Sequence, residues 1–194
     1  MARWPGVPAV YGWLALDRRG NWLIKGDRIA NPGVTTFIGR NYARDDRGCW
    51  YFQNGPQRVF VTLEYAPYVL RIVNPDGAPL AIEAHNGEPV SSVVGAWIDE
   101  NDTELLETEH GIGTVHDRDL DRLLPAFIDA IRKRLAEGAL EGLMERVQQG
   151  RPAPLWIGFG DAGVRIAPIR SATVPQRFGF VSRPIQPAGR EECY

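Results

Sequence analysis

Apolar and polar positions alternate in short bursts along most of the chain, and turn residues separate the bursts. That is the pattern of many short strands. Tyr11–Leu16 and Trp22–Lys25 flank the polar stretch Asp17–Asn21 and read as a hairpin. Asn31 then precedes Pro32, a helix cap followed by a residue suited to the first helical position. Val34, Phe37, Ile38 and Tyr42 recur at helical spacing, which predicts a short helix with one face turned inward. Cys49–Gln53 and Arg58–Tyr65 are strands joined through Asn54-Gly55, a strong hairpin signal. In the second of these, Val59, Val61 and Leu63 face one way and Arg58, Phe60, Thr62 and Glu64 the other. Tyr68–Val73 follows the Pro67 break and closes at Asn74-Pro75-Asp76-Gly77.

In the second half, Leu80–Glu83, Val93–Ile98 and Glu104–Thr108 read as strands. Leu120, Leu123, Leu124, Phe127, Ile128, Ile131 and Leu135 then keep a helical period, with Asp117 and Asp119 where caps and first-turn acids belong. Pro125 is expected to kink this helix and Gly138 to break it, with Leu140, Leu143, Met144 and Val147 continuing it. Leu155–Phe159, Val164–Ile169 and Phe178–Val181 are the last strand patterns, ahead of a loose tail over 184–194. The fold class is α+β, mainly antiparallel and β-rich, with one short helix and one longer broken helical segment over 118–149. The expected division is residues 1–77 and 78–194, packed as one compact unit. The order strand, glycine turn, helix, tryptophan strand, turn, alternating strand occurs around Trp50 and again around Trp156, an internal repeat of element order.

Composition changes this picture little. Hydrophobic residues make up 44% of 194, enough for a sizeable core, and 21 glycines with 15 prolines agree with frequent turns. A net charge of -2 exerts no general pull on nucleic acid or anionic membranes. Cys49 and Cys193 are too few for a disulfide framework, no apolar run approaches a membrane span, and the N-terminus lacks a signal-like stretch. A cytoplasmic protein is the expectation.

Three motifs stand out: Trp22-x-x-x-Gly26-x-x-Ile29, Arg44-Asp45-x-x-Gly48-x-Trp50 and Val61-x-Leu63-Glu64-x-Ala66-Pro67. Together they resemble an uncharacterised proteobacterial family classed as a domain of unknown function, mainly over residues 11–75. The resemblance implies a mainly antiparallel, internally duplicated β-rich fold and carries no activity. The long helical segment departs from the short helices of that group.

Candidate chemistry is sparse. Glu107, Glu109, His110, His116 and Asp117 are close in sequence, and histidines with carboxylates can bind a metal or exchange protons. Glu109, His110 and His116 are the metal candidates, against the simpler reading of a solvated turn and helix cap. Asp117-x-Asp119-x-Asp121 lacks the glycine and distal glutamate of a calcium loop and reads as a helix start. Ser91-Ser92 has only His85 nearby in sequence, and Cys49 suits a small core residue. The most suggestive polar set is Arg40, Asn41, Arg44 and Arg47 with Gln57-Arg58 across the sheet, beside Trp50 and Tyr51, and within it Arg40, Asn41 and Arg58, at one end of a helix-on-sheet unit, are the ligand-binding candidates. Arginine forks with an asparagine donor suit an anion or carboxylate. The competing account is arginines that complement a helix dipole. The leading function is a non-enzymatic ligand-binding or protein-interaction module with an anionic small molecule or a protein as partner. The alternative is a metal-dependent or hydrolase-like enzyme using the His/Glu cluster. No cofactor is implied, and the acidic balance disfavours nucleic acid.

Overall fold

The computed structural model describes residues 8–74 and 79–187. Cys193, Trp4, most of the Asn74–Gly77 turn and the end of the tail lie outside them. The first sheet is built from two meanders. One is β1 (Ala9–Leu16), β2 (Trp22–Ile24) and β3 (Asp27–Arg28). The other is β4 (Tyr42–Arg44), β5 (Trp50–Asn54) and β6 (Gln57–Leu63). Helix α1 (Pro32–Arg40) connects them. β1 and β6 pair in parallel at the centre, giving the order β3-β2-β1-β6-β5-β4. The sequence placed α1 correctly because its start is chemically marked: Asn31 Oδ1 accepts from the N–H groups of Gly33 at 2.9 Å and Val34 at 3.3 Å.

The chain passes to the second sheet between Leu63 and Tyr68, ahead of the 77/78 division read from the sequence. β7 (Tyr68–Ile72) and β8 (Ile82–Ala84) form its edge. β9 (Val93–Ile98), β10 (Glu104–Thr108) and β11 (Gly111–Val115) form one meander. β12 (Phe127–Ile128), β13 (Trp156–Phe159) and β14 (Ala162–Pro168) form the other. The order is β12-β13-β14-β9-β10-β11-β7-β8, with β9 and β14 parallel and β7 parallel to β11. Six of these strands therefore repeat the connectivity of the first sheet, two meanders joined through a central parallel pair. The remaining pairings are antiparallel, so the fold is α+β, mainly antiparallel, with two mixed sheets. Helix α2 (Leu120–Leu123) sits between 3-10 turns, α3 (Glu137–Gln148) precedes β13, and α4 (Val174–Arg177) follows β14.

One core cluster runs through both sheets. Leu14, Val61, Leu70, Leu105 and Ile157 are at most 2% exposed, each such side chain contributing ~1.5–3 kcal/mol on burial. Where the sheets meet, Trp22, Tyr42, Trp50 and Tyr68 contact in series at ring-centroid distances of 5.1, 4.7 and 5.3 Å. Phe60, expected on the outer face of β6, is also buried because it stacks on Tyr11 at 4.4 Å.

Four expectations are corrected. The helical face of the second half is not continuous. Phe127 and Ile128 leave the helix as β12 and pair with Ile157 and Trp156, while Leu124 is 39% and Ile131 81% exposed. Pro125, which has no N–H to donate, sits in the 3-10 turn that ends the first helical piece. Asp129 then caps its own turn through the N–H groups of Ile131 and Lys133, both at 2.9 Å. Gly138 lies in the first turn of α3 rather than at a break. On α1, Ile38 is buried but Val34 and Phe37 are 41% and 50% exposed. Phe178–Val181 forms no strand, Val181 making only an isolated bridge to Cys49. No helix among the described residues is long and apolar enough to cross a membrane.

Candidate functional site

The structure separates the polar residues singled out in the sequence. Asn41 uses its side-chain amide to donate to Phe37 O at 2.8 Å, closing the end of α1. The Arg58 guanidinium lies over the Tyr51 ring, 4.6 Å from its centroid. Arg40 lines a cleft. Glu109 and His110 are neighbours ahead of β11, whereas His116 follows its far end, about 20 Å from His110 at ~3.3 Å per residue. Glu109 is saturated by Ser91 and Ser92, whose N–H and O–H groups donate to it at 2.5–3.2 Å. Burial alone would raise its pKa, but these donors outweigh that and hold it at about 2. His110 Nε2 lies 3.0 Å from Pro89 O. His116 Nδ1 accepts from Arg118 N–H at 3.1 Å. Among the described residues no three His, Cys, Asp or Glu side chains group as a metal site. Cys49 is buried, and burial pushes its thiol pKa up.

The cleft beside Arg40 has a volume of about 810 Å³. One wall is the exposed side of α1 with Thr35, Thr36 and Arg40. A second is the β2–β3 end with Arg28. The third belongs to the other sheet, the β8 strand and its turn with Glu83, His85 and Asn86. The close approach of the two sheets here requires two glycines. A Cβ on Gly20, which has φ +75°, would lie 2.8 Å from His85 Cβ, and one on Gly39 would lie 3.0 Å from Asn86 Cβ. Any side chain at either position would prise the 85–86 turn away from the first sheet.

The electrostatics of this cleft are unbalanced. Arg28 and Arg40 form no ion pair among the described residues, and Glu83 is the single acid of the lining. His85 lies at its base. Val69 N–H donates to His85 Nδ1 at 3.3 Å, which places the proton on Nε2. That Nε2–H is buried with no acceptor among the described residues. The ring packs against Trp22, Tyr42 and Tyr68 at 5.3, 5.9 and 5.8 Å. Burial lowers its pKa to about 3, so the imidazole is neutral at physiological pH. The arrangement supplies two guanidinium forks, hydroxyl and amide donors and no nucleophile–base pair. It can hold an anion.

Of the candidates read from the sequence Arg40 lines this cleft, while Arg28 and His85, which also line it, were not among them. Arg28 lies on a two-residue strand with no pattern of its own, and His85 is one position of a turn. Neither is near Arg40 in sequence, and only the contact between sheets unites them.

No curated protein matches the sequence. A DUF1285 family protein from Silicibacter pomeroyi DSS-3 is similar in structure, with a TM-score of 0.56 and 12% identity, over 85% of this chain and 84% of that one. A DUF1285 family protein from Shewanella baltica OS155 gives a TM-score of 0.44 at 15% identity, over 57% of this chain and 88% of that one. The first of these likenesses concerns the fold alone. The family model DUF2944, described as "Protein of unknown function (DUF2946)", matches residues 1–185, extending the resemblance seen in the first seventy or so residues to nearly the whole sequence, and the chain belongs to that family.

Proposed function

We propose that this protein is a non-enzymatic binding module whose ligand is a small anion, carboxylate- or phosphate-bearing, held in the cleft between α1 and the β8 turn. The observation that carries the reading is the pair Arg28 and Arg40, both lining the cleft and neither in an ion pair among the described residues. Unpaired guanidinium groups on a concave polar surface are poised for bidentate recognition of an oxyanion. Thr36 adds a hydroxyl at the rim, and the Asn21 and Asn86 amides, each giving one N–H to Asp17 and Glu88, keep a second N–H to donate. Glu83 opposes a fully charged polyanion and favours a ligand with one or two anionic groups. Arg58, which does not line this cleft and lies over the Tyr51 ring, is not part of this set.

The test is a thermal-shift and calorimetric screen of the whole chain against phosphate, sulfate and simple mono- and dicarboxylates. At least one anion is expected to raise the melting temperature, because a ligand selective for the native state stabilises it. The Arg28→Ala/Arg40→Ala double variant is expected to lose that response and Arg58→Ala to keep it. Equal loss in both variants, or no response to any anion, would overturn the reading.

A further inference from the structure

A second cleft lies on the other side of the Asp17–Asn21 turn, between that turn and strands β10 and β11, with a volume of about 560 Å³. Its character is opposite to that of the first. Asp17, Glu64, Asp102, Glu104 and Asp117 line it against two cations, Arg18 and Arg19.

Both cations are already engaged, Arg19 with an acid of the same lining. Arg19 donates through Nε and Nη2 to Asp117 Oδ2 at 3.1 and 2.8 Å. The Arg18 guanidinium lies over the Tyr65 ring, 4.2 Å from its centroid. Several of the acids are also engaged. Asp17 accepts from Arg19 N–H and from both the N–H and the amide of Asn21, each at 2.8 Å. Asp102 accepts from Gln148 at 2.6 Å, and Glu64 from Arg18 N–H at 3.1 Å.

Glu104 is the exception. Its residue is 6% exposed, it lines the cleft, and among the described residues no cation pairs with it and no other residue donates a hydrogen bond to it. Proteins leave a buried carboxylate unpaired only at a penalty. The usual remedies are a partner cation, a metal or a ligand. A metal is disfavoured by the lack of any three-ligand group among the described residues. An anion would meet an excess of acids.

We propose that this cleft is a second binding site and that it takes a small organic cation, a primary amine or guanidinium compound, with its N–H groups against the Glu104 carboxylate. Thr114 and Asn101, also in the lining, supply neutral oxygens for remaining N–H donors. Burial, helped by the charges of Asp102 and Asp99, pushes the Glu104 pKa up to about 7. An arriving cation therefore completes its ionisation, in keeping with the geometry. The site is independent of the anion cleft, since none of the residues invoked for one lines the other.

The test titrates the full chain at pH 8 with agmatine, cadaverine and n-hexylamine, using n-hexanol and hexanoate as neutral and anionic controls. At least one amine is expected to bind, with amide shifts centred on Thr103, Glu104 and Val115, while neither control binds there. Glu104→Gln keeps the side-chain shape and is expected to weaken the amine by about tenfold or more. Arg28→Ala/Arg40→Ala is expected to leave amine binding unchanged, which separates this site from the anion cleft. Absence of amine binding up to about 10 mM, equal binding by the folded Glu104→Gln variant, or shifts confined to other surfaces would overturn the proposal. If Glu104→Gln fails to fold, shift mapping on the wild-type chain decides alone.

Discussion

Replacing Asp119 by alanine should release the 117–126 segment from the second sheet. Asp119 Oδ2 accepts from Arg71 Nε at 2.5 Å and from Ile72 N–H at 3.2 Å. Its side chain is 4% exposed and that of Arg71 45%. Removing the carboxylate leaves the Ile72 N–H buried without an acceptor, a loss of roughly 1–3 kcal/mol. Breaking a buried ion pair costs about 3–5 kcal/mol when both partners are enclosed. Arg71 can turn to solvent, so the total falls to about 2–3 kcal/mol. With a urea m-value of about 2–3 kcal/mol/M, the midpoint should drop by about 1 M. The pH dependence gives an internal check. Burial alone would raise the Asp119 pKa, but Arg71 and the Ile72 N–H outweigh it and hold it below the normal carboxylate value. A folded pKa below the unfolded one stabilises above the unfolded pKa of about 3.9 and loses that contribution as pH falls through the folded value. The gap between wild type and variant should therefore be full at pH 7 and shrink below about pH 4. The reasoning is refuted if the midpoint moves by less than about 0.2 M at pH 7, or if Asp119→Ala and Arg71→Ala are simply additive in a double-mutant cycle.

Three further outcomes follow from the same geometry. Phe127→Ala should lose about 3–5 kcal/mol while Ile131→Ala changes stability by less than about 0.5 kcal/mol in urea denaturation, and comparable losses would restore the continuous helix. Asn31→Ala removes the acceptor for Gly33 and Val34 N–H and should lower stability by about 1 kcal/mol, with an unchanged midpoint counting against the cap. Glu104, with a folded pKa of about 7, holds its proton more tightly when folded, so its contribution falls as pH rises from about 4.3 to 7. Glu104→Gln should then gain up to about 3 kcal/mol over wild type at pH 8 and nothing near pH 4, whereas a gain independent of pH would contradict the burial argument.

Much of the strand order could be read from local chemistry. Asn54-Gly55 marks the β5–β6 turn, and the cap at Asn31 marks α1. Trp50 and Trp156, which follow the same order of elements in the sequence, fall on β5 and β13, which hold equivalent places in the two sheets. The 118–149 segment misled because Leu120, Leu123, Phe127 and Ile128 satisfy a helical period that a short strand against β13 also accommodates. Pairing with distant residues decided between them. Asp119 reads as an acid in a helix start, and nothing local reveals that Arg71, 48 positions earlier, closes over it. Glu104 did carry a local signal, a carboxylate heading the apolar run Leu105-Leu106, but a strand end is an ordinary place for an acid. The cleft it lines is shared with Asp17, Arg18 and Arg19 of the other sheet, far away in sequence. Arg40 was visible as a cation near a helix end, while the cleft it serves exists only because Gly20 and Gly39 let the sheets close.

The central claim, an anion held between α1 and the β8 turn, is tested most directly by amide chemical-shift mapping during titration with the tightest anion from the screen. Shifts should concentrate on Asn21, Arg28, Thr35, Thr36, Asn86 and Gly87, the residues that surround Arg40 and His85. Shifts centred on Tyr51 and Arg58 or scattered over both sheets, or a saturating titration that leaves these amides unmoved, would contradict it.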